Sequence, residues 1–419
     1  MKEILNFLIE VGKLKRMPRR GWVINQIKNP ESIADHIFRS TIITWILGKK
    51  KGLNEERILK IILIHDLCKV YARDTTPFDQ LLPQSKKKLL KLMKTWPKFS
   101  VVEKKKLELK RYKKEWQALV LLTSKLPPKL KKEIKGFWLD YKKGLTKEGR
   151  FVFQADRLDN FLQAFEYWKK YKKPPLIPWW LWAREFFTDP LLVEFVDTLD
   201  KNFFRKEREI KFSENENLIN FFTAIGKLKR MPRRGWVLRK VKNPETIAEH
   251  SFRVALLAWF LGDKKDINLK EVIKIAIVHD LCEVYAGDIT PYDKFFTQKR
   301  YKKELFEKWP RFSKHEKMEL SLYKHKREWL SLINLTSKLE PEIRQEIISL
   351  WLNYEEGLTK EGRFIRQIDK TENLLQASEY WIKDKKISIK PWWTEIEELV
   401  DNPILLKFID TLDKKFHRK

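Results

Sequence analysis

From Ile247 to Leu261 the apolar residues recur every three and four positions, the spacing of a helix with half its surface on a core. Asn243-Pro244-Glu245 ahead of it offers a capping amide, a proline suited to a first turn and an acid near the positive helix end. That sequence predicts the helix start. Val272 to Val284 reads as a second, core helix with a stop at Gly287. Similar spacing runs along nearly the whole chain, and no alternating run with hairpin turns interrupts it. The pattern predicts an all-α fold.

The pattern also repeats. Gly12-Lys-Leu-Lys-Arg-Met-Pro-Arg-Arg-Gly-Trp22 recurs as Gly226-Lys-Leu-Lys-Arg-Met-Pro-Arg-Arg-Gly-Trp236, and Lys28-Asn-Pro-Glu31 as Lys242-Asn-Pro-Glu245. Trp96-Pro97 matches Trp309-Pro310, and Gly144-Leu-Thr-Lys-Glu-Gly-Arg150 matches Gly357-Leu-Thr-Lys-Glu-Gly-Arg363. Each copy is too long for a solenoid unit, so the repeat is a duplicated domain. Two multi-helix domains, residues 1–207 and 208–419, are expected, with the polar stretch from about Arg205 to Asn217 as linker.

Composition narrows the setting. A chain of 419 residues with 43% hydrophobic positions can bury two ordinary cores. Its two cysteines, Cys68 and Cys282, lie at equivalent places in apolar runs, which predicts packed thiols and suits a reducing compartment. The first ten residues include acids and lack a long apolar region, so no secretory signal is read there. No run reaches the ~18 apolar residues of a membrane span. A soluble, cytoplasmic protein is expected, with no membrane partner.

Charge is unevenly shared. The net value is +31; residues 1–210 carry 47 Lys and Arg against 25 Asp and Glu (+22), and residues 211–419 carry 41 against 32 (+9). Such a field draws phosphate-bearing partners and permits weak nucleic-acid binding through the first half. The plainer reading is that these ammonium groups are simply solvated.

Candidate chemistry lies in two matched sets. The second copy reads Ala248-Glu249-His250, His279-Asp280-Leu281-Cys282-Glu283, Gly287-Asp288 and Ile368-Asp369; the first reads Ala34-Asp35-His36, His65-Asp66-Leu67-Cys68-Lys69, Arg73-Asp74 and Ala155-Asp156. Four of the seven histidines fall in these sets, which a chance His-Asp pair does not explain. Two imidazoles and two carboxylates suit a borderline divalent ion (Mn²⁺, Co²⁺, Fe²⁺, Ni²⁺ or Zn²⁺) better than Mg²⁺. On a continuous helix His279 and Asp280 project about 100° apart and both reach one ion. Glu283 then lies on the same face, positioned as a proton acceptor or donor, with Asp288 to assist.

These residues resemble the HD-domain metal-dependent phosphohydrolases, in particular the 5′-deoxynucleotidase branch. The resemblance rests on Leu228-Lys-Arg-Met-Pro-Arg-Arg-Gly-Trp236, Pro244-Glu-Thr-Ile-Ala-Glu-His-Ser-Phe-Arg253, His279-Asp-Leu-Cys-Glu-Val-Tyr-Ala-Gly-Asp-Ile-Thr-Pro291, and Gln367-Ile-Asp with Leu375-Gln-Ala-Ser-Glu-Tyr380. It implies two tandem HD-type domains and hydrolysis of the 5′-phosphate of (deoxy)nucleoside monophosphates. It also implies His250, His279, Asp280 and Asp369 as metal ligands and Glu283 and Asp288 as acid/base residues. Family members place an Arg beside a Trp at the nucleotide; here Gly235 intervenes. The expectation is that Arg233 or Arg234 holds phosphate while Trp236 faces sugar or base. Segments of roughly 80–121 and 294–335 are longer than the family suggests, and their Trp-Pro-x-Phe-Ser motif leaves a lid and a partner surface both open.

In the first copy His36, His65, Asp66 and Asp156 form a possible second metal set. Lys69, however, replaces the carboxylate of Glu283, and Arg73 replaces a glycine suited to positive φ. That domain is expected to be degenerate, serving within an intrachain pseudo-dimer or a homo-oligomer. Two rivals stay open: hydrolysis of another phosphorylated nucleotide, such as an alarmone or nucleic-acid end, and nucleic-acid binding with both sites as relics.

Overall fold

Helix Ile247–Leu261 begins at a reciprocal cap: the Thr246 side chain accepts from the Glu249 amide, and the Glu249 carboxylate accepts from the Thr246 amide. The expected Asn243 cap is displaced upstream into a turn, with a φ of 52°. All of Ile247–Leu261 is buried, more than the expected half, because neighbours pack on several sides. Leu269–Val278 and Lys360–Lys383 both lie against it, and Pro341–Glu356 packs against those two.

The structure is a computed structural model and describes residues 1–419 except 84, 86–87, 89–91, 93–98, 174–175, 202–212, 263–265, 291–292, 294–312 and 419. Among the described residues there is no strand, only the isolated bridges Pro18–Ser32 and Pro232–Thr246. The all-α expectation holds. The chain divides into two compact units, Asn6–Ile219 and Asn220–Lys419, the latter with Met1–Leu5. The expected boundary at 207–208 falls outside the described residues. A helix, Glu214–Ile225, already occupies the end of the expected linker. No described helix is long and apolar enough to cross a membrane. Cys68 and Cys282 are free and buried, as expected.

Both units repeat one core. In the first, Ile33–Lys50 packs on Glu55–Ile64 and Lys147–Tyr171, as their counterparts do in the second. The shared Gly-Leu-Thr-Lys-Glu-Gly text is the joint before the long helix. Gly357 closes Pro341–Glu356 in the left-handed conformation, and Thr359 caps Lys360–Lys383. Gly362 lies so close to Asn353 that a Cβ there would overlap its carbonyl. This joint fixes Tyr354 and Asp369, which sit on either side of it.

The expected core helix from Val272 to Val284 is broken in two. Leu269–Val278 ends at His279, and a short helix, Glu283–Ala286, follows. Between them the hydrogen bonds tighten to i→i+3: Leu281 to Val278, Glu283 to Asp280 and Val284 to Leu281. His279 and Asp280 therefore lie in a turn, not within a helix as the spacing predicts. Gly287 is the stop, with a φ of 77° and ψ of 160°.

Arg73 takes the same backbone shape, φ 63° and ψ 157°, a region essentially reserved for glycine and worth about 1–3 kcal/mol of strain. Arg73→Gly is expected to stabilise the first domain by about 1 kcal/mol, part of the relief being offset by glycine's larger unfolded-state entropy. Urea unfolding checks this: the first-domain midpoint should rise, and a lower midpoint would refute the strain.

Candidate metal and catalytic centre

The sites start from where polar atoms point. His250 is fully buried on its helix, and its Nδ1 lies 2.6 Å from Glu372 Oε2. Glu372 Oε1 in turn accepts from Arg253 Nε at 2.6 Å, and Arg253 reaches on to Glu379 at 3.0 Å and Gln376 at 2.8 Å. His279 Nδ1 donates to the Ala276 carbonyl at 2.8 Å. With each Nδ1 so engaged, the two Nε2 atoms face inward; both are buried and have no hydrogen-bond partner. Polar atoms left this way are costly unless something else binds them.

Two carboxylates meet those nitrogens. Asp369 Oδ1 lies 3.0 Å from His250 Nε2, and Asp280 Oδ2 lies 3.2 Å from His279 Nε2 and 4.0 Å from His250 Nε2. Ligand atoms of His250, His279 and Asp369 converge within 4.8 Å of one another. Asp369 is oriented by the Tyr354 hydroxyl at 3.0 Å and the Asn373 amide at 3.1 Å, with Lys370 Nζ at 3.2 Å. A borderline divalent cation fits this donor set: two unprotonated imidazole nitrogens, two carboxylates and a braced surround.

Electrostatics agree. Burial and Arg233 press His250 towards neutrality, yet Glu372 and Asp369 lift it to about 8. Burial opposes ionisation of Asp280, but His279 and then Arg233 hold its carboxyl low. Glu283 goes the other way: burial first, then Asp280 and Asp288, push it well above the usual carboxylate range. Its Oε2 is buried and unpartnered.

The short helix carrying Glu283 is braced by the long helix Lys314–Thr336. Ser331 donates to the Cys282 carbonyl, and Arg327 donates to the Ala286 carbonyl at 3.2 Å. The segment 294–335, open in sequence to a lid or a partner surface, thus ends in a positioning element. Its Trp309-Pro310 text, like Trp96-Pro97, lies outside the described residues. Val101–Leu122 and Lys314–Thr336 both start from the serine of that motif, Ser100 and Ser313, as helix caps.

The basic loop separates its two arginines. Pro232–Thr246 bridging ties it to the start of the His250 helix. Arg233 Nη1 is buried without a hydrogen-bond partner. Arg234 is engaged instead: its Nε donates to Asp293 at 2.8 Å, and its backbone amide fixes Asp288 at 2.6 Å. Trp236 departs from expectation. It is 2% exposed, stacks on Trp392 at 4.7 Å, meets Tyr380 edge-on and donates from Nε1 to Glu245 at 2.9 Å. A ring so enclosed packs the loop and does not face sugar or base.

Glu372, Arg253, Tyr354 and Asn373 escaped the sequence reading. Two of them had a signal: Arg253 follows His250 by three residues, and Glu372 follows Asp369 by three, each on the same helix face.

Comparison with known proteins places this arrangement. The HD domain family matches residues 11–177 and again 225–396. A 5′-deoxynucleotidase HDDC2 of Xenopus laevis is 33% identical over 174 residues, 42% of this chain and 74% of that protein. The HDDC2 of Homo sapiens is 30% identical over 198 residues, 47% of this chain and 85% of that protein. A solved structure of a conserved hypothetical protein from Pyrococcus furiosus is 29% identical and covers 47% of this chain and 99% of that one, with a TM-score of 0.34. The chain belongs to the HD domain family and carries that domain twice.

Proposed function

We propose that the C-terminal domain is a divalent-metal phosphomonoesterase that removes the 5′-phosphate of (deoxy)nucleoside monophosphates. One observation carries the reading: two inward imidazole nitrogens without a hydrogen-bond partner converge with Asp280 and Asp369 beside the unpartnered Oε2 of Glu283. The relatives named 5′-deoxynucleotidases support the substrate class. When bound, the divalent ion activates water and neutralises phosphoryl charge.

The chain's own residues supply the rest. His250, His279, Asp280 and Asp369 hold the ion. Glu283 takes the proton that the attacking water gives up and returns it to the 5′-oxygen as the phosphorus–oxygen bond breaks. Asp288, fixed by the Arg234 amide, keeps a second carboxylate beside it. Arg233 presents a free N–H to a phosphate oxygen, whereas Arg234 already holds Asp293.

Arg233→Ala is expected to raise KM for nucleoside monophosphates, a cost of about 1.5–3 kcal/mol for a lost hydrogen bond to a charged group. Arg234→Ala should change KM far less, and an unchanged KM in Arg233→Ala would remove that residue from the phosphate site. The function itself is tested by phosphate release from nucleoside monophosphates with each candidate ion, beside retention on nucleic acid at two salt concentrations. Release with a divalent ion supports the reading. No release from any mononucleotide, with salt-dependent retention on nucleic acid, would favour relic sites on a basic protein.

A further inference from the structure

The two pockets diverge at the position where a carboxylate becomes an ammonium. Lys69 opens the short helix Lys69–Ala72, the counterpart of Glu283–Ala286, and its side chain is 11% exposed. Its Nζ lies 2.7 Å from Asp66 Oδ2 and 2.7 Å from Asp74 Oδ1. The matching residues of the second pocket, Asp280 and Asp288, meet His279 and the Arg234 amide, contacts that Asp66 and Asp74 also make with His65 and the Arg20 amide, and among the described residues no lysine joins them.

Other groups of the first pocket are paired as well, His65 Nε2 excepted. Asp156 is bound by Arg157 and by the Tyr141 hydroxyl at 2.8 Å. His36 has both ring nitrogens on carboxylates, Nδ1 at 2.6 Å from Asp159 and Nε2 at 2.7 Å from Asp156. Arg19, the counterpart of Arg233, is bonded to Asn160 and to Glu31. The second pocket repeats the histidine arrangement, with His250 Nε2 3.0 Å from Asp369 and Nδ1 2.6 Å from Glu372, but leaves Arg233 Nη1 without a hydrogen-bond partner.

Charge decides what this means. Lys69 sets a fixed positive charge where the second pocket has the carboxyl group of Glu283. An ion bound to Asp66 would meet Lys69 on the same carboxylate, in like-charge contact. Moving Lys69 aside would leave a buried ammonium and Asp74 without each other. His36, His65 and Asp156 still converge within 4.8 Å, and His65 Nε2, like His279 Nε2, is buried without a hydrogen-bond partner, so what separates the two pockets is the lysine on Asp66 and Asp74.

We propose that the first domain holds no divalent ion, and that the Lys69 ammonium neutralises Asp66 and Asp74 in its place, making a permanently closed copy of the metal site. The second-set expectation for His36, His65, Asp66 and Asp156 is thereby answered by an internal ion pair. The inference concerns the first domain and stands apart from the activity proposed for the second.

The test is elemental analysis of the full chain after stripping with a chelator and dialysis against Mn²⁺. Wild type should hold one ion per chain, His65→Ala should also hold one, and His279→Ala none. Two ions in wild type, or loss of an ion in His65→Ala, would overturn the proposal, and the wild-type count depends on no variant folding. A wild type without any ion would contradict the phosphomonoesterase reading of the second domain while agreeing with this one.

Discussion

Glu283→Ala is expected to lower phosphate release from nucleoside monophosphates by roughly 10²-fold or more, the usual cost of losing a positioned acid or base. Ion content should stay at the wild-type level. The reasons are geometric. Glu283 is not among the four proposed donors, His250, His279, Asp280 and Asp369, so its removal leaves them in place. The short helix that carries it stays braced by Ser331 on the Cys282 carbonyl and Arg327 on the Ala286 carbonyl. Turnover and elemental analysis of one preparation check both halves. Equal turnover in wild type and Glu283→Ala would sink the assignment of Glu283.

Asp280→Ala should do more, losing both the ion and turnover. Asp280 lies within reach of both inward imidazole nitrogens, 3.2 Å from His279 Nε2 and 4.0 Å from His250 Nε2. Its removal takes one of four donors, and one of the two carboxylates that balance the ion's charge. Residues that merely orient a ligand typically cost 10–100-fold in metal affinity when changed, so a direct donor should exceed that. Retained ion content with full turnover in folded Asp280→Ala protein would place the centre elsewhere.

Helical spacing and the internal repeat made the fold legible. The span Ile247–Leu261 matches the sequence reading because three- and four-residue periodicity survives wherever a helix buries its apolar positions. Its start was misread because Asn243-Pro244-Glu245 has cap-like composition, whereas Thr246 and Glu249 form the reciprocal cap three residues on. The break at His279 left no trace in composition: Val278, Leu281 and Val284 are apolar on either side of it, and only hydrogen-bond geometry distinguishes the tightened turn. That His250, His279 and Asp369 converge, as do His36, His65 and Asp156, was legible because duplication repeated their spacing. Trp236 was misplaced because sequence shows a ring beside an arginine but not the Trp392 and Tyr380 rings that enclose it. Arg233 and Arg234 look alike in sequence, and Asp293 separates them only in three dimensions.

The pairing of Lys69 with Asp66 and Asp74 makes the asymmetry between the domains a physical claim, namely that one chain carries one working centre. The most direct measurement is phosphate release by Asp66→Ala beside Asp280→Ala, each shown to be folded by circular dichroism. The account predicts near-wild-type turnover for Asp66→Ala and none for Asp280→Ala. Loss of half or more of the activity in folded Asp66→Ala protein would contradict it, because the first domain would then be catalytic or essential to catalysis.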